Sequence, residues 1–454
     1  MSFLYRFELD YLSTWYHRTD RKPLVIRGAR QVGKSTLVRL LATKENLKLI
    51  ELDFEKNPDF ADLFKSQDPK TIFSLLGVQL NENISVASTL LFLDEIQKTP
   101  QILATLRYFY EQMPGLAVIA AGSLLDLTLK NINFSIPVGR IEYLYLTPMT
   151  FEAFLIAINK KNLCNFLQEY ELDQKIPISI HQLLLDALKK YLIVGGLPEA
   201  VAKYVTTENF IDVERVKKSL LIGYQEDFSK YATLAEQNRM RLIFNKIPRI
   251  LGEKFKYSHI DSEQKSTVLK SGLDHLNLAR IIHIVYHTDA NGLPLAAEMN
   301  EKNFKTFFLD VGLVASALGT NILDFKDPKD ISLVNSGKIA EQFVAQELIQ
   351  FREYYEQPSL YYWMREKKSA SAEIDFVISH RGKIIPVEVK SGSGGSLKSL
   401  HYFLKEKKLQ FAVKFSTQLP NLLQTKIQLS SELNSFVLLS LPFYLIGQLR
   451  RFCK

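Results

Sequence analysis

Residues 23–39 read PLVIRGARQVGKSTLVR: a short apolar run, a turn with glycine at 28 and 33, and the restart of an apolar-periodic segment. Gly28 and Gly33 enclose Ala29, Arg30, Gln31 and Val32, and Lys34, Ser35 and Thr36 follow directly. This is the strand-to-helix spacing of a phosphate loop, G-x-x-x-x-G-K-[ST]. Glycines let successive backbone N–H groups curl around phosphate oxygens, and a helix opening at Lys34 aims its positive dipole end at the same oxygens. Lys34 reaches the outer phosphates, and the Ser35 hydroxyl is placed to ligate a magnesium ion. Residues 28–36 are therefore assigned to binding a nucleoside triphosphate.

Outward from the loop, strands and helices alternate. On its N-terminal side Leu4, Phe7, Tyr11, Leu12 and Trp15 share one helical face, which predicts an amphipathic helix over 4–17. On the other side, apolar runs at 49–54, 90–97, 116–123 and 141–149 are separated by helical stretches such as 72–80. Continuous apolar strands alternating with helices make a parallel sheet buried on both faces, so the fold class is α/β. Residues 90–93 carry Asp94 and Glu95 to a strand's carboxyl end, where open α/β sheets bind ligands. Asp94 is placed to hold magnesium opposite Ser35, and Glu95 to polarise an attacking water. Ser123, ending the next run, has two readings: a group that senses the terminal phosphate, or the N-cap of the helix LLDLTLK.

The 454 residues, 46% hydrophobic and 23% charged, describe an ordinary globular protein with room for about two to four domains. Cys164 and Cys453 are too few for a disulfide framework and match no metal spacing, which points to a reducing cytoplasm. Arg6, Glu8 and Asp10 interrupt the N-terminus where a secretory signal needs an unbroken apolar core. The longest apolar stretch, 436–449, is broken by Pro442 and Gly447 and is too short to span a bilayer, so no membrane partner is expected. The net charge of +8 is uneven: residues 331–454 hold 17 Lys plus Arg against 10 Asp plus Glu, or +7, which leaves +1 for the rest. A basic C-terminal third suggests an acidic partner, most simply nucleic acid; a solvated face is the alternative.

The pieces of the front half together resemble the AAA+ class of P-loop ATPases, in particular prokaryotic ATPases with a GARQVGK-type loop. The matching pieces are 28–35 (GARQVGKS), 93–97 (LDEIQ), 121–123 (AGS), and Gly139-Arg140 followed by LYLTPMTFEAFL. The resemblance covers residues 1–155 and implies ATP and Mg2+ as cofactors, with Lys34 and Glu95 in catalytic roles. By the same analogy Arg140 is a candidate arginine finger acting on a neighbour in a homo-oligomer, with a surface ion pair as the other reading.

From Thr150 onward the pattern turns helical, and residues 180–193 end in Val194-Gly195-Gly196-Leu197-Pro198, a helix stop that serves either packing or a hinge. A further helix is expected over 215–231. Residues 257–318 read as a short helix, a longer one at 265–276, a strand IIHIVYHT, a turn at Asn291-Gly292 and a return strand at 306–310. That order fits a winged helix, a module that docks DNA or protein, and the family resemblance points the same way through FFLDVGL.

In the basic third, Glu341 falls in a helix at 337–350, followed by strands at 373–379 and 383–390 joined by Arg381-Gly382. A two-residue hairpin sets His380 opposite Lys383 and Asp375 opposite Glu388, with Glu388 and Lys390 on the face of Asp375. Asp375, Glu388 and Glu341 as metal ligands, with Lys390 beside them, would be equipment for activating water against a phosphodiester. This resembles the PD-(D/E)xK, restriction-endonuclease-like fold, with Asp375, Glu388 and Lys390 on its signature and Glu341 as its helical acid. The departure is Glu373-Ile374-Asp375 where the signature has Pro-Asp; an ordinary solvated hairpin is the alternative. Tyr361, Tyr362 and Trp363 read as core. The expected organisation is an AAA+-type domain over 1–155, a helical region over 156–240, a winged-helix-like region over 241–325 and a nuclease-like α/β domain over 326–454.

Overall fold

The computed structural model describes residues 4–130, 138–319, 337–365, 371–391, 397–429 and 432–453. The chain forms two units. The first comprises Met1–Thr147 with Leu278–Arg280 and Arg352–Gln357; the second comprises Pro148–Asn277, Ile281–Phe351 and Pro358–Lys454.

The first unit is built on five parallel strands: β1 (Leu24–Arg27), β2 (Lys48–Asp53), β3 (Thr89–Asp94), β4 (Ala117–Gly122) and β5 (Glu142–Tyr145), in the order β2-β3-β4-β1-β5. Every residue of β3 and β4 is buried, as strands covered on both faces must be. Ile72, Phe73 and Leu76 of helix Pro69–Leu80 and Ile102, Leu106 and Phe109 of helix Ile102–Gln112 pack with Val25, Leu91, Leu93 and Val118 into one core. The phosphate loop leaves the end of β1, and Ser123 follows the end of β4, which lies between β1 and the Asp94 strand β3. The N-terminal helix runs over Glu8–His17, four residues later than its apolar face suggested, and buries Leu9, Leu12 and Trp15.

The second unit joins helices to an eight-stranded mixed sheet: β6 (Ile282–Thr288), β7 (Met299–Phe308), β8 (Tyr361–Arg365), β9 (Ala372–His380), β10 (Lys383–Val389), β11 (Phe411–Ser416), β12 (Asn421–Leu429) and β13 (Glu432–Pro442). Their order is β12-β13-β11-β10-β9-β8-β6-β7. The winged-helix expectation is corrected by this sheet. Helices Tyr257–Ile260 and Ser266–Leu278 and the antiparallel β6–β7 pair all form, but β6 pairs in parallel with β8, Tyr286 opposite Tyr361. The hairpin is therefore the end of the larger sheet, which runs across the boundary expected at residue 325. Its outer strand is capped at Phe308 by Gln342 of helix Gly337–Leu348, which accepts from Phe308 N–H and donates to Phe308 C=O, each at 2.8 Å, and is bridged through backbone at Lys305 by Lys254.

The Gly195-Gly196 segment proves to be a packing device. Helix Ile178–Val194 stops at Gly195, whose φ is +80°; a Cβ there would lie 2.1 Å from Oδ1 of Asp310. Asp310, fully buried, accepts from Gly196 N–H at 2.6 Å and N-caps helix Val311–Ala317 through Leu313 N–H at 3.2 Å. The buried Lys217 ammonium pairs with Glu214 at 2.9 Å and donates to Gly312 C=O at 3.3 Å and to Ile193 C=O, at the end of its helix, at 2.8 Å. The GGLP and FFLDVGL stretches are thus two halves of one buried polar knot.

Candidate functional site

In the first unit Gly33 and Gln31 take positive φ, +93° and +64°, and helix Lys34–Lys44 begins immediately. A Cβ on Gly28 would meet Leu146 C=O at 2.3 Å, because the chain after β5 passes directly over it, with Leu146 N–H donating to Arg27 C=O at 2.7 Å. Ala29 and Val32 are buried, Gln31 is exposed on the loop, Thr36 is exposed in the first turn of the helix, and Arg30 is half-buried. The Lys34 ammonium folds back onto Gly28 C=O at 3.2 Å and Ala29 C=O at 2.8 Å. Burial pulls its pKa down to about 8, against Glu95 and Asp94, which favour the charge.

Strand β3 brings Asp94 to the loop. Ser35 donates its hydroxyl to Asp94 Oδ2 at 2.5 Å, and Glu95 N–H donates to Oδ1 at 3.0 Å. Burial lifts the Asp94 carboxyl to about 6, with the Ser35 hydrogen bond opposing. A hydroxyl and a carboxylate converging on one point are the hard oxygen donors that suit Mg2+, so these residues fit that ion. Glu95 has φ +53°, a strained left-handed backbone, and its carboxylate accepts from the Gln97 amide. Ser123 is buried. Arg140 pairs with Glu111 at 2.9 Å, the surface ion pair named above, and is 44% exposed on its side chain.

Two contributors, Arg6 and Arg280, lie outside every motif, and a third, Gln97, falls inside the LDEIQ stretch without a role assigned from it. Arg6, buried and paired with Glu8, donates to Val32 C=O in the phosphate loop at 3.2 Å and to Thr147 C=O at 2.7 Å. Arg280, at φ +59°, pairs with Asp126 at 2.7 Å, and its charge depresses Lys34. Gln97 holds the carboxylate assigned to water activation. Arg6 and Arg280 reach the site from distant chain positions, so no local pattern marks them.

In the second unit the hairpin register is the one counted from the turn. His380 faces Lys383, and the ladder continues to Phe376 opposite Val387, one step short of the expected Asp375–Glu388 pair. Asp375 Oδ2 accepts from Val389 N–H at 2.7 Å, and Lys390 donates to Glu388 Oε1 at 2.5 Å. Burial and neighbouring negative charge raise the carboxyls of Glu341 to about 8 and of Glu388 to about 7, and that of Asp375 rises with them. The residue that sequence reasoning missed is Lys305 of β7. Its side chain is 1% exposed, and its ammonium pairs with Glu373. No group of three or more His, Cys, Asp or Glu among the described residues is arranged to hold a metal ion. Two of these acids already hold protein donors, Asp375 accepting from Val389 N–H and Glu388 from Lys390.

Comparison with known proteins bears on the first unit. Residues 20–155 match the family model described as AAA domain. Residues 185–324 match Domain of unknown function (DUF8612), and residues 336–440 match Domain of unknown function (DUF4143). No curated protein matches the chain. Among solved structures, PCH-2 of C. elegans is 12% identical, with 47% of this chain and 67% of that one covered at a TM-score of 0.29. The ORC2 protein of Aeropyrum pernix is 14% identical over 69% and 92%, at 0.37. Hsp104 of S. cerevisiae is 15% identical over 60% and 37%, at 0.27. The family match and the five-stranded parallel sheet make the first unit a P-loop domain of AAA type, equipped to bind ATP. No helix among the described residues is long and apolar enough to cross a membrane.

Proposed function

We propose that this protein hydrolyses ATP in its first unit and couples the cycle to nucleic acid held by its basic C-terminal third. The observation that carries the first half is the meeting of Ser35 and Asp94 at 2.5 Å beside the buried Lys34, which joins phosphate loop and acidic strand into one site. Backbone N–H groups of residues 28–36 and the Lys34 ammonium hold the phosphates, and Lys34 gives up its two carbonyl partners to do so. Ser35 and Asp94 would hold Mg2+, which would supply charge neutralisation. Glu95, released from Gln97, orients and deprotonates the attacking water; Ser123 stands at the end of β4, where a polar group meets the terminal phosphate. Arg140 is kept as a finger toward a second copy of the chain, which requires it to leave Glu111.

The second half rests on the +7 carried by residues 331–454. A nucleotide-gated switch that grips its partner without cutting is the second reading, and the intrusion of Lys305 among the acids favours it over a nuclease. The test of the site is Mg2+-dependent ATP turnover by wild-type, Lys34→Ala and Glu95→Gln proteins. The expected result is loss of turnover in both variants, by at least about 100-fold for Glu95→Gln, with ATP binding retained in that variant. Equal turnover in wild-type and Lys34→Ala proteins would overturn the assignment.

A further inference from the structure

A buried ammonium is costly unless carboxylates compensate it, and Lys305 is compensated by an entire cluster. It extends from the outer strand β7 past β6 and β8 to pair with Glu373 on β9. Its Nζ also lies 5.1 Å from the Tyr362 ring centroid, and Glu341, Asp375 and Glu388 all stand within its electrostatic reach. The carboxylates are already committed inward: Glu373 to Lys305, Asp375 to Val389 N–H, Glu388 Oε1 to Lys390. Glu341 Oε2 and Glu388 Oε2 are buried without a hydrogen bond, and the Lys305 ammonium supplies positive charge to both carboxyls. We propose that the Lys305 ammonium is the resident cation of this cluster, supplying permanently the charge that a divalent metal supplies in a nuclease centre. The second unit then neither needs nor takes up Mg2+ at this place and does not cut phosphodiesters.

This inference rests on the reading of a module that grips without cutting, but it is measured in nucleotide-free protein, so failure of the ATPase assignment leaves it standing. The experiment follows Mn2+ binding by the paramagnetic resonance of the free ion, using full-length chain carrying Asp94→Asn to silence the first unit. The expected result is no tight Mn2+ site in this protein and no difference when Glu388→Gln is added. In Lys305→Met the uncompensated acids should gain about one Mn2+ per chain, and its melting temperature should rise by several degrees with Mn2+ while that of the Lys305 protein stays fixed. A micromolar Mn2+ site in the Lys305 protein that disappears with Glu388→Gln overturns the proposal. So does a folded Lys305→Met chain that acquires no Mn2+. If Lys305→Met does not fold, the pair with and without Glu388→Gln decides alone.

Discussion

At the scale of single residues, what a side chain does here is set by who delivers its partners. Lys34, Ser35 and Asp94 were readable because their partners lie within one motif or at the end of one strand. Lys305 was not, since it meets Glu373 only after β6 and β8 have been laid between their strands. Glu347 is another such residue: buried on helix Gly337–Leu348, it accepts from Phe151 N–H at 2.9 Å at the start of helix Phe151–Ala157. Burial lifts its carboxyl from the ordinary 4.5 to about 8. A raised acid contributes stability that is complete below 4.5 and is lost as pH climbs toward about 8. Glu347→Gln keeps the acceptor and cannot ionise, so the fall in unfolding free energy between pH 5 and pH 8 should shrink by about 1.4 kcal/mol or more, the worth of one pKa unit. Denaturant titrations at the two pH values measure this, and an unchanged fall would remove Glu347 from the account.

Elements were legible where local pattern and tertiary demand agree. The five strands of the first unit were found within a few residues, because doubly covered strands must be apolar throughout. The β9–β10 register followed from its two-residue turn alone. The β6–β7 hairpin was also seen, yet taken for a wing, because hairpin signals are local while the strand that β6 adopts as its neighbour, β8, lies some seventy residues on. The Gly195 stop offered a hinge or packing, and the proximity of Asp310, invisible from either segment, decides for packing. Gly195→Ala would force its Cβ into the Asp310 carboxylate from a left-handed backbone, and should cost on the order of 2–4 kcal/mol of stability. A change within about 0.5 kcal/mol, the range of ordinary surface substitutions, would show the knot to be unimportant.

For the whole molecule, sequence marked two chemistries, a triphosphate site at one end and a basic region at the other, without stating how they communicate. The charge partition predicts that DNA affinity weakens steeply and linearly on logarithmic axes as salt rises, by about tenfold or more between 50 and 200 mM for several phosphate contacts. Salt-independent binding would place the partner outside the nucleic acids. Coupling of ATP turnover to nucleic acid is read from the ATPase rate of this chain at low salt with and without DNA, beside Lys34→Ala. Turnover should change severalfold on adding DNA and be absent in Lys34→Ala under both conditions. A wild-type rate indifferent to DNA would show turnover uncoupled from nucleic acid, and a Lys34→Ala rate equal to it would show that the phosphate loop does not turn over ATP.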